Sequence, residues 1–290
     1  MRSSRSFFRR WQNGIAFLLG LAFLAVAIAA PLLSPQKPPE GLVLQRTAGK
    51  SEDYLPFPPG PGAPLGTLPG YVDIYQAVIW GTRSAVSLSF SVVFFSGLFG
   101  LLIGALSGYV GGRFNEWVMR LTDGMLAFPL IAAVVMFQSL YTLLTVSRLA
   151  PDIWVSGTDP RFLLAYLEVY GSPPLPLQVF LSKINPVVFA LIIFSWMPYA
   201  RIINAQVLKL KETEYVEAAY ALGAGNWRIV WNHLLPNAIS PVIVLAARDI
   251  GGVVITVAFF TFAGLAKGFE WATLLVIGRA WVIGPGGNLL

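Results

Sequence analysis

Apolar residues along this chain come in long unbroken runs, not in the strict alternation of strands or the three-to-four rhythm of surface helices. The first run, 14–33, has roughly the 20 residues that a helix needs to cross about 30 Å of hydrocarbon. Runs at 85–110, 125–146, 186–203 and 238–260 predict four more spanning helices. The run at 85–110 is dotted with Ser89, Ser91, Ser96, Gly97, Gly100, Gly104 and Ser107. Small residues let helix backbones approach closely, so this span is expected inside a bundle. The fold class predicted is therefore an all-α polytopic membrane protein, a bundle of five spans.

Polar stretches separate the runs. Residues 1–13 are basic. "AIAAP" at the end of the first run offers a signal-cleavage alternative, but signal cores are usually about 7–15 residues, and the longer run favours an uncleaved anchor. Residues 34–84 are rich in proline and glycine, and "PFPPGPGAPLG" cannot hold a helix. Residues 111–124 read as a short polar link, and 147–185 as a second proline-containing loop. Residues 261–290 are only intermittently apolar, and Thr273–Ile283 is too short to cross unaided. The spans and their links from 85 to 260 form the membrane core. Arg2, Arg5, Arg9 and Arg10 place the N-terminus in the cytoplasm by the positive-inside rule. Alternation then puts 111–124 and 204–236 inside, with 34–84, 147–185 and the C-terminal 261–290 outside.

The 204–236 segment is unusual, since between two spans it carries "EYVEAAYALGAGNWRIVWNHLLPN". Good helix formers run from Lys209 to Leu222, and Gly223 and Gly225 follow as a C-terminal cap. Asn226 is placed to cap a second short helix ending near Leu235, before Pro236 resets the chain. Ala218, Ala219, Ala221 and Ala224 leave part of this hairpin without bulk, and Tyr215, Tyr220 and Trp227 offer anchoring area. Two readings fit equally: a docking surface for another protein, or an amphipathic helix at the lipid headgroups.

Composition agrees with a lipid-solvated chain. Of 290 residues, 56% are hydrophobic and 12% charged, half the roughly 25% of soluble domains, and the mean hydropathy is +0.68. The absence of cysteine excludes disulfides and thiolate chemistry, and the single His233 excludes a multi-histidine metal site. The net charge of +6 is scattered over loops, which fits membrane orientation and not nucleic-acid binding. "AGKS" at Ala48–Ser51 lacks the glycine of a phosphate-binding loop, because Leu44 stands there. Neither catalytic residues nor a metal site are read.

Arg248 and Asp249 lie within the fifth span, where each charge costs about 2.5–3.5 kcal/mol on insertion scales. Neighbours on a helix diverge by about 100°, so each is expected to find a partner elsewhere or to border water. They are candidates for the pathway lining or for a structural ion pair with another helix or subunit. Asp123 is expected as a helix cap, ahead of a pairing with Arg120. His233 is expected as a hydrogen-bonded interfacial residue.

The 214–237 stretch resembles the EAA loop of ABC importer permeases. Glu217, Ala218, Ala219, Gly223, Leu235 and Pro236 meet its spacing. "PLGT" at Pro64–Thr67, "IWGTRSAVSLSF", "GYVGGRFNEWVMRLTDGMLAFP" at Gly108–Pro129 and "FEWATLL" at Phe269–Leu275 resemble the second permease subunit of dipeptide, oligopeptide and nickel importers. The resemblance covers about residues 60–275. It implies alternating access driven by ATP, with a cytoplasmic coupling helix seated in a cleft of a separate ATPase subunit. Carried onto this chain, Glu217, Ala218, Ala219, Gly223, Tyr215 and Tyr220 are the ATPase-coupling residues, with Gly223 as the turn. Leu235 and Pro236 end the motif. A contact of Asp123 with the ATPase is an alternative to its role as a cap. The implied partners are a second permease subunit in a heterodimer, ATP-binding subunits, an extracytoplasmic binding protein and membrane lipid. ATP and magnesium are expected on the ATPase subunits, with no cofactor in this chain, and the location is the cell membrane. The family has six spans where five are read here, and an incomplete sequence is the simpler expectation. Peptides are the first substrate expected, ahead of nickel and oligosaccharides. A secondary transporter driven by an ion gradient is the rival class, and it would need binding sites on interrupted helices arranged as repeats. A scaffold without transport is a third class, supported only by the proline-rich loops.

Overall fold

A computed structural model describes residues 11–35, 58–68, 72–146, 186–263 and 270–283. The basic N-terminus, "AGKS", residues 36–57 and 69–71 of the 34–84 loop and the 147–185 loop lie outside the described residues. The helices are α1 (Trp11–Leu33), α2 (Ile74–Val110), α3 (Gly112–Ala127), α4 (Leu130–Val146), α5 (Pro186–Ser195), α6 (Met197–Leu210), α7 (Glu214–Ala221) and α8 (Asn226–Ile229). A π turn at Val230–Leu234 leads into α9 (Leu235–Ala238), α10 (Ser240–Phe262) and α11 (Glu270–Ile283). Among the described residues four helices are long and apolar enough to cross a membrane. They are α1, α2, the α5–α6 pair taken as Val187–Leu210, and α10. The bent α3–α4 pair makes five if it counts as one span. An antiparallel hairpin of β1 (Thr67–Leu68) and β2 (Val72–Asp73) precedes α2, with Thr67 opposite Asp73 and Leu68 opposite Val72.

Four boundaries differ from those expected. The fourth span, read as 186–203, is two helices that meet at Trp196 and run on to Leu210. The second helix starts at Ile74, well ahead of 85, because Asp73 caps it. Its carboxylate accepts the Tyr75 N–H at 2.8 Å and the Gln76 N–H at 3.4 Å, satisfying donors that a helix start leaves open. The polar link at 111–124 is helical through Ala127. Its low hydropathy hid a sequence of good helix formers. That helix ends at Phe128, whose extended backbone suits a residue before Pro129, and α4 starts anew at Leu130 instead of continuing from 125.

The chain divides into two compact units, residues 1–89 with 254–290, and residues 90–253. In the first, Trp271 of α11 lies against Gly81 of α2, where a Cβ would sit 2.6 Å from the indole nitrogen. That nitrogen donates to the Val78 carbonyl at 2.9 Å, and Phe23 of α1 meets the same ring edge-on at 5.5 Å. Trp80 donates to the Ser34 carbonyl at 3.0 Å.

In the second unit the small residues of α2 meet α6. A Cβ on Gly100 would lie 2.5 Å from the Trp196 carbonyl oxygen, and one on Gly108 would lie 3.0 Å from that of Asn204. Gly104 is pressed as closely onto Ala200. The three glycines recur every fourth residue, so one face of α2 is bare backbone. Buried Asn204 donates to Ser107 Oγ at 2.9 Å and to Asn115 Oδ1 at 2.5 Å, tying α6 to both α2 and α3. One apolar core then gathers Ala105, Tyr199, Ile203, Val207, Val216, Ile229, Leu234, Leu235, Ala238, Val242 and Leu245.

Candidate functional site: the helical segment between α6 and α10

The segment expected as one helix from Lys209 to Leu222 is broken. α6 runs on to Leu210, Lys211 and Glu212 turn, and α7 starts after Thr213. Thr213 has extended backbone and returns its hydroxyl to the Leu210 carbonyl at 2.5 Å, so the side chain closes the turn and does not cap α7. Glu214 and Glu217 occupy the first turn, where carboxylates suit the positive end of the helix dipole.

α7 ends at the expected glycine. Gly223 takes φ +82°, a left-handed conformation that β-carbon-bearing residues rarely adopt, and its N–H bonds the Tyr220 carbonyl at 2.9 Å. Gly225 does not share this role, since at φ −70° it is the extended residue that begins α8. Asn226, expected as that cap, is instead the first helical residue. Pro236 has no N–H to offer the carbonyl one turn back, and the helical ladder widens to a π turn directly ahead of it. The chain therefore stays helical through Pro236 and bends at Ile239 before α10. His233 lies half-buried in the π turn, and its carbonyl accepts a hydrogen bond from the Asn237 amide at 2.7 Å.

The two sides of α7 differ sharply. Val216 and Ala219 point into the core, Ala219 with only 8% of its surface exposed. Glu214, Tyr215, Glu217, Ala218 and Ala221 face outward. The alanine pair is thus split: Ala218 is open to a partner, while the Ala219 methyl packs inside its own chain. The sequence reading missed Leu222, which is 89% exposed beside Gly223. In the pattern it looks like a core residue, and only the burial of Val216 and Ala219 shows that it lies off the packed face of α7.

Two polar contacts fasten this segment to the end of α2. Tyr220 and Tyr109 share a hydroxyl–hydroxyl hydrogen bond at 2.7 Å, and Lys211 Nζ donates to the Gly108 carbonyl at 3.3 Å. With Val216, Ile229 and Leu234 in the same core as Ile203 and Val242, the segment is knitted to α2, α6 and α10 together.

Arg248 and Asp249 do pair with each other, contrary to expectation. The guanidinium reaches Asp249 Oδ1 at 3.1 and 3.0 Å, because the long arginine side chain folds back across the divergence between neighbours. The other carboxylate oxygen accepts the Tyr199 hydroxyl at 2.9 Å. The Arg248 side chain remains 75% exposed. Asp123 is likewise not a cap. It pairs with Arg201 at 3.3 Å, while Arg120 pairs with Glu116 at 3.8 Å.

The family model for the binding-protein-dependent transport system inner membrane component matches residues 100–280, which include this whole segment. A dipeptide transport system permease protein of Alkalihalophilus pseudofirmus is 26% identical over 96% of this chain and 78% of its own. A glutathione transport system permease protein of Pectobacterium atrosepticum is 28% identical over 97% and 79%. An oligopeptide transport system permease protein of Haemophilus influenzae is 26% identical over 96% and 76%. With more than half its length inside the family model, and with its motif folded as a compact segment between two spans, the chain belongs to the binding-protein-dependent transport system inner membrane components, the permease subunits of ABC importers.

Proposed function

We propose that this permease carries peptides across the membrane by alternating access, and that the segment from Glu214 to Ala238 is the lever through which ATPase subunits drive it. A permease of this family is a multi-pass inner-membrane transport protein, not an enzyme, and it works with ATPase and binding-protein partners. The observation that carries the reading is the two-sided α7. Its inner side is locked into the core shared by α2, α6 and α10, and its outer side offers Tyr215, Glu217, Ala218 and Leu222. An element so attached cannot move without moving the helices it joins. The names of the relatives, dipeptide, glutathione and oligopeptide permeases, support peptides as the substrate class.

In this reading ATP and magnesium sit on the ATPase subunits, and this chain performs no hydrolysis of its own. A second permease subunit completes a heterodimer, and the N-terminus and the 204–236 segment face the cytoplasm. Glu217 and Ala218 touch the ATPase directly, with Tyr215 and Leu222 as apolar anchors. Ala219, Tyr220 and Gly223 hold the geometry of the tip, and Leu235 and Pro236 deliver it to α10. The Arg248–Asp249 pair borders the pathway.

The test is uptake of a labelled dipeptide into proteoliposomes holding the full complex, with a Gly223→Val variant. A β-branched residue at φ +82° is strained. ATP-dependent uptake is expected to fall at least tenfold, with the variant still inserted. Unchanged ATP-driven uptake in the variant, or uptake driven by an ion gradient without ATP, contradicts the proposal.

A further inference from the structure

α3 has three edges, each with its own chemistry. Asn115, Val118, Met119 and Thr122 turn toward α6, with Thr122 buried and Asn115 bonded to Asn204. Arg113, Glu116, Arg120 and Asp123 form a second edge, and its two ion pairs leave every side chain more than half exposed. Phe114, Trp117 and Leu121 form the third, and Trp117 is 72% exposed. At about 100° per residue, the charged and aromatic edges flank the buried face on opposite sides. A helix surrounded by water has no use for the aromatic edge, and one inside hydrocarbon cannot keep the charged edge.

The bend that follows supplies the second observation. The apolar α4 leaves α3 at 87°, across the break at Phe128 and Pro129. With 17 residues α4 is about 25 Å long. If a helix of that length and composition runs through the bilayer, its perpendicular neighbour lies in the membrane plane.

We infer that α3 is an in-plane helix whose Phe114–Trp117–Leu121 edge is sunk into the glycerol and upper acyl region of one leaflet, with its charged edge in water. The occupant of the apolar edge is glycerophospholipid. Its continuity with α2 and α4 puts α3 at the membrane surface, and Trp117 has the amphipathic ring that favours this depth. The helix thereby fixes the depth of the α2 end, where Gly108 accepts from Lys211 and Tyr109 bonds Tyr220. That this leaflet is the cytoplasmic one rests on the proposed function; the in-plane placement does not.

The chain has no cysteine, so a single spin label can be placed on it once the cysteines of the other subunits are replaced. The full complex, in nanodiscs of phosphatidylcholine and phosphatidylglycerol, is labelled in turn at Trp117→Cys, Leu121→Cys, Glu116→Cys and Arg120→Cys. Labels at 117 and 121 are expected to collide several-fold more with oxygen than with a water-soluble nickel chelate, and those at 116 and 120 the reverse. Nickel access at 117 and 121 overturns the inference, as does shielding from both probes, which would mean a protein covers the edge. Oxygen-rich collisions on all four would mean a re-entrant insertion and overturn it too. A photoactivatable phosphatidylcholine on the unsubstituted complex checks folding artefacts: it must label the 114–121 stretch, and no label there counts against the inference. These readouts report depth alone, so they stand or fall apart from ATP-driven uptake.

Discussion

Tyr220 and Tyr109 meet through their hydroxyls at 2.7 Å, at the point where the outward-facing α7 touches the last turn of α2. A neutral hydrogen bond of this kind contributes about 0.5–1.5 kcal/mol net. It is strong enough to bias the attachment and weak enough to break in a working cycle. Tyr220→Phe should therefore lower the dipeptide moved per ATP hydrolysed by a factor of about 2–10, with ATPase activity retained. Tyr109→Phe should match it, and the double variant should be no worse than either single one. Additive losses in the coupling ratio would show that the two rings act separately. The same scale holds the Arg248–Asp249 pair. Asp249→Leu alone strands a charge in the span at about 2.5–3.5 kcal/mol, whereas Arg248→Met with Asp249→Leu removes both. The yield of correctly inserted protein should be lower for the single variant than for the double one. Of these residues the sequence announced the charges but not their pairing, since spacing along a helix says nothing of how far an arginine folds back.

Helix packing depends on the glycine face of α2. Gly104→Leu would drive a side chain into the backbone of Ala200, and overpacking of this kind costs typically 1–3 kcal/mol or more where backbone must shift. The thermal midpoint of the purified complex should fall by several degrees, while Gly97→Ala, whose nearest neighbour is 3.8 Å away, should change little. Equal effects at both positions would remove the close approach from the account. This face was legible in the sequence because small residues at fourth positions have few other uses in a span. The ends of the elements were less legible. Asp73 starts α2 by a cap that lies ahead of the hydropathy signal, and α3 was hidden because its charged edge dilutes its apolar one. Leu222 was invisible for the opposite reason. An apolar leucine at the end of a helix reads as packing until α7 is seen to bury Val216 and Ala219 and leave Leu222 in the open.

For the molecule as a whole, the motif spacing carried the family and the structure supplied the mechanics. One core joins α2, α6 and α10 through the segment between them, so a push on α7 is shared by three helices. The central claim is that this push comes from an ATPase subunit seated on Glu217, Ala218 and Leu222. Its most direct measurement places a short bifunctional crosslinker on Ala218→Cys, in membranes containing the complete complex and no other accessible cysteine in this chain. The account predicts a single adduct with an ATPase subunit, formed from the cytoplasmic side and changed in yield when ATP is bound. A cysteine at 218 that reacts only with reagents added outside, or an adduct only with the binding protein, would contradict it.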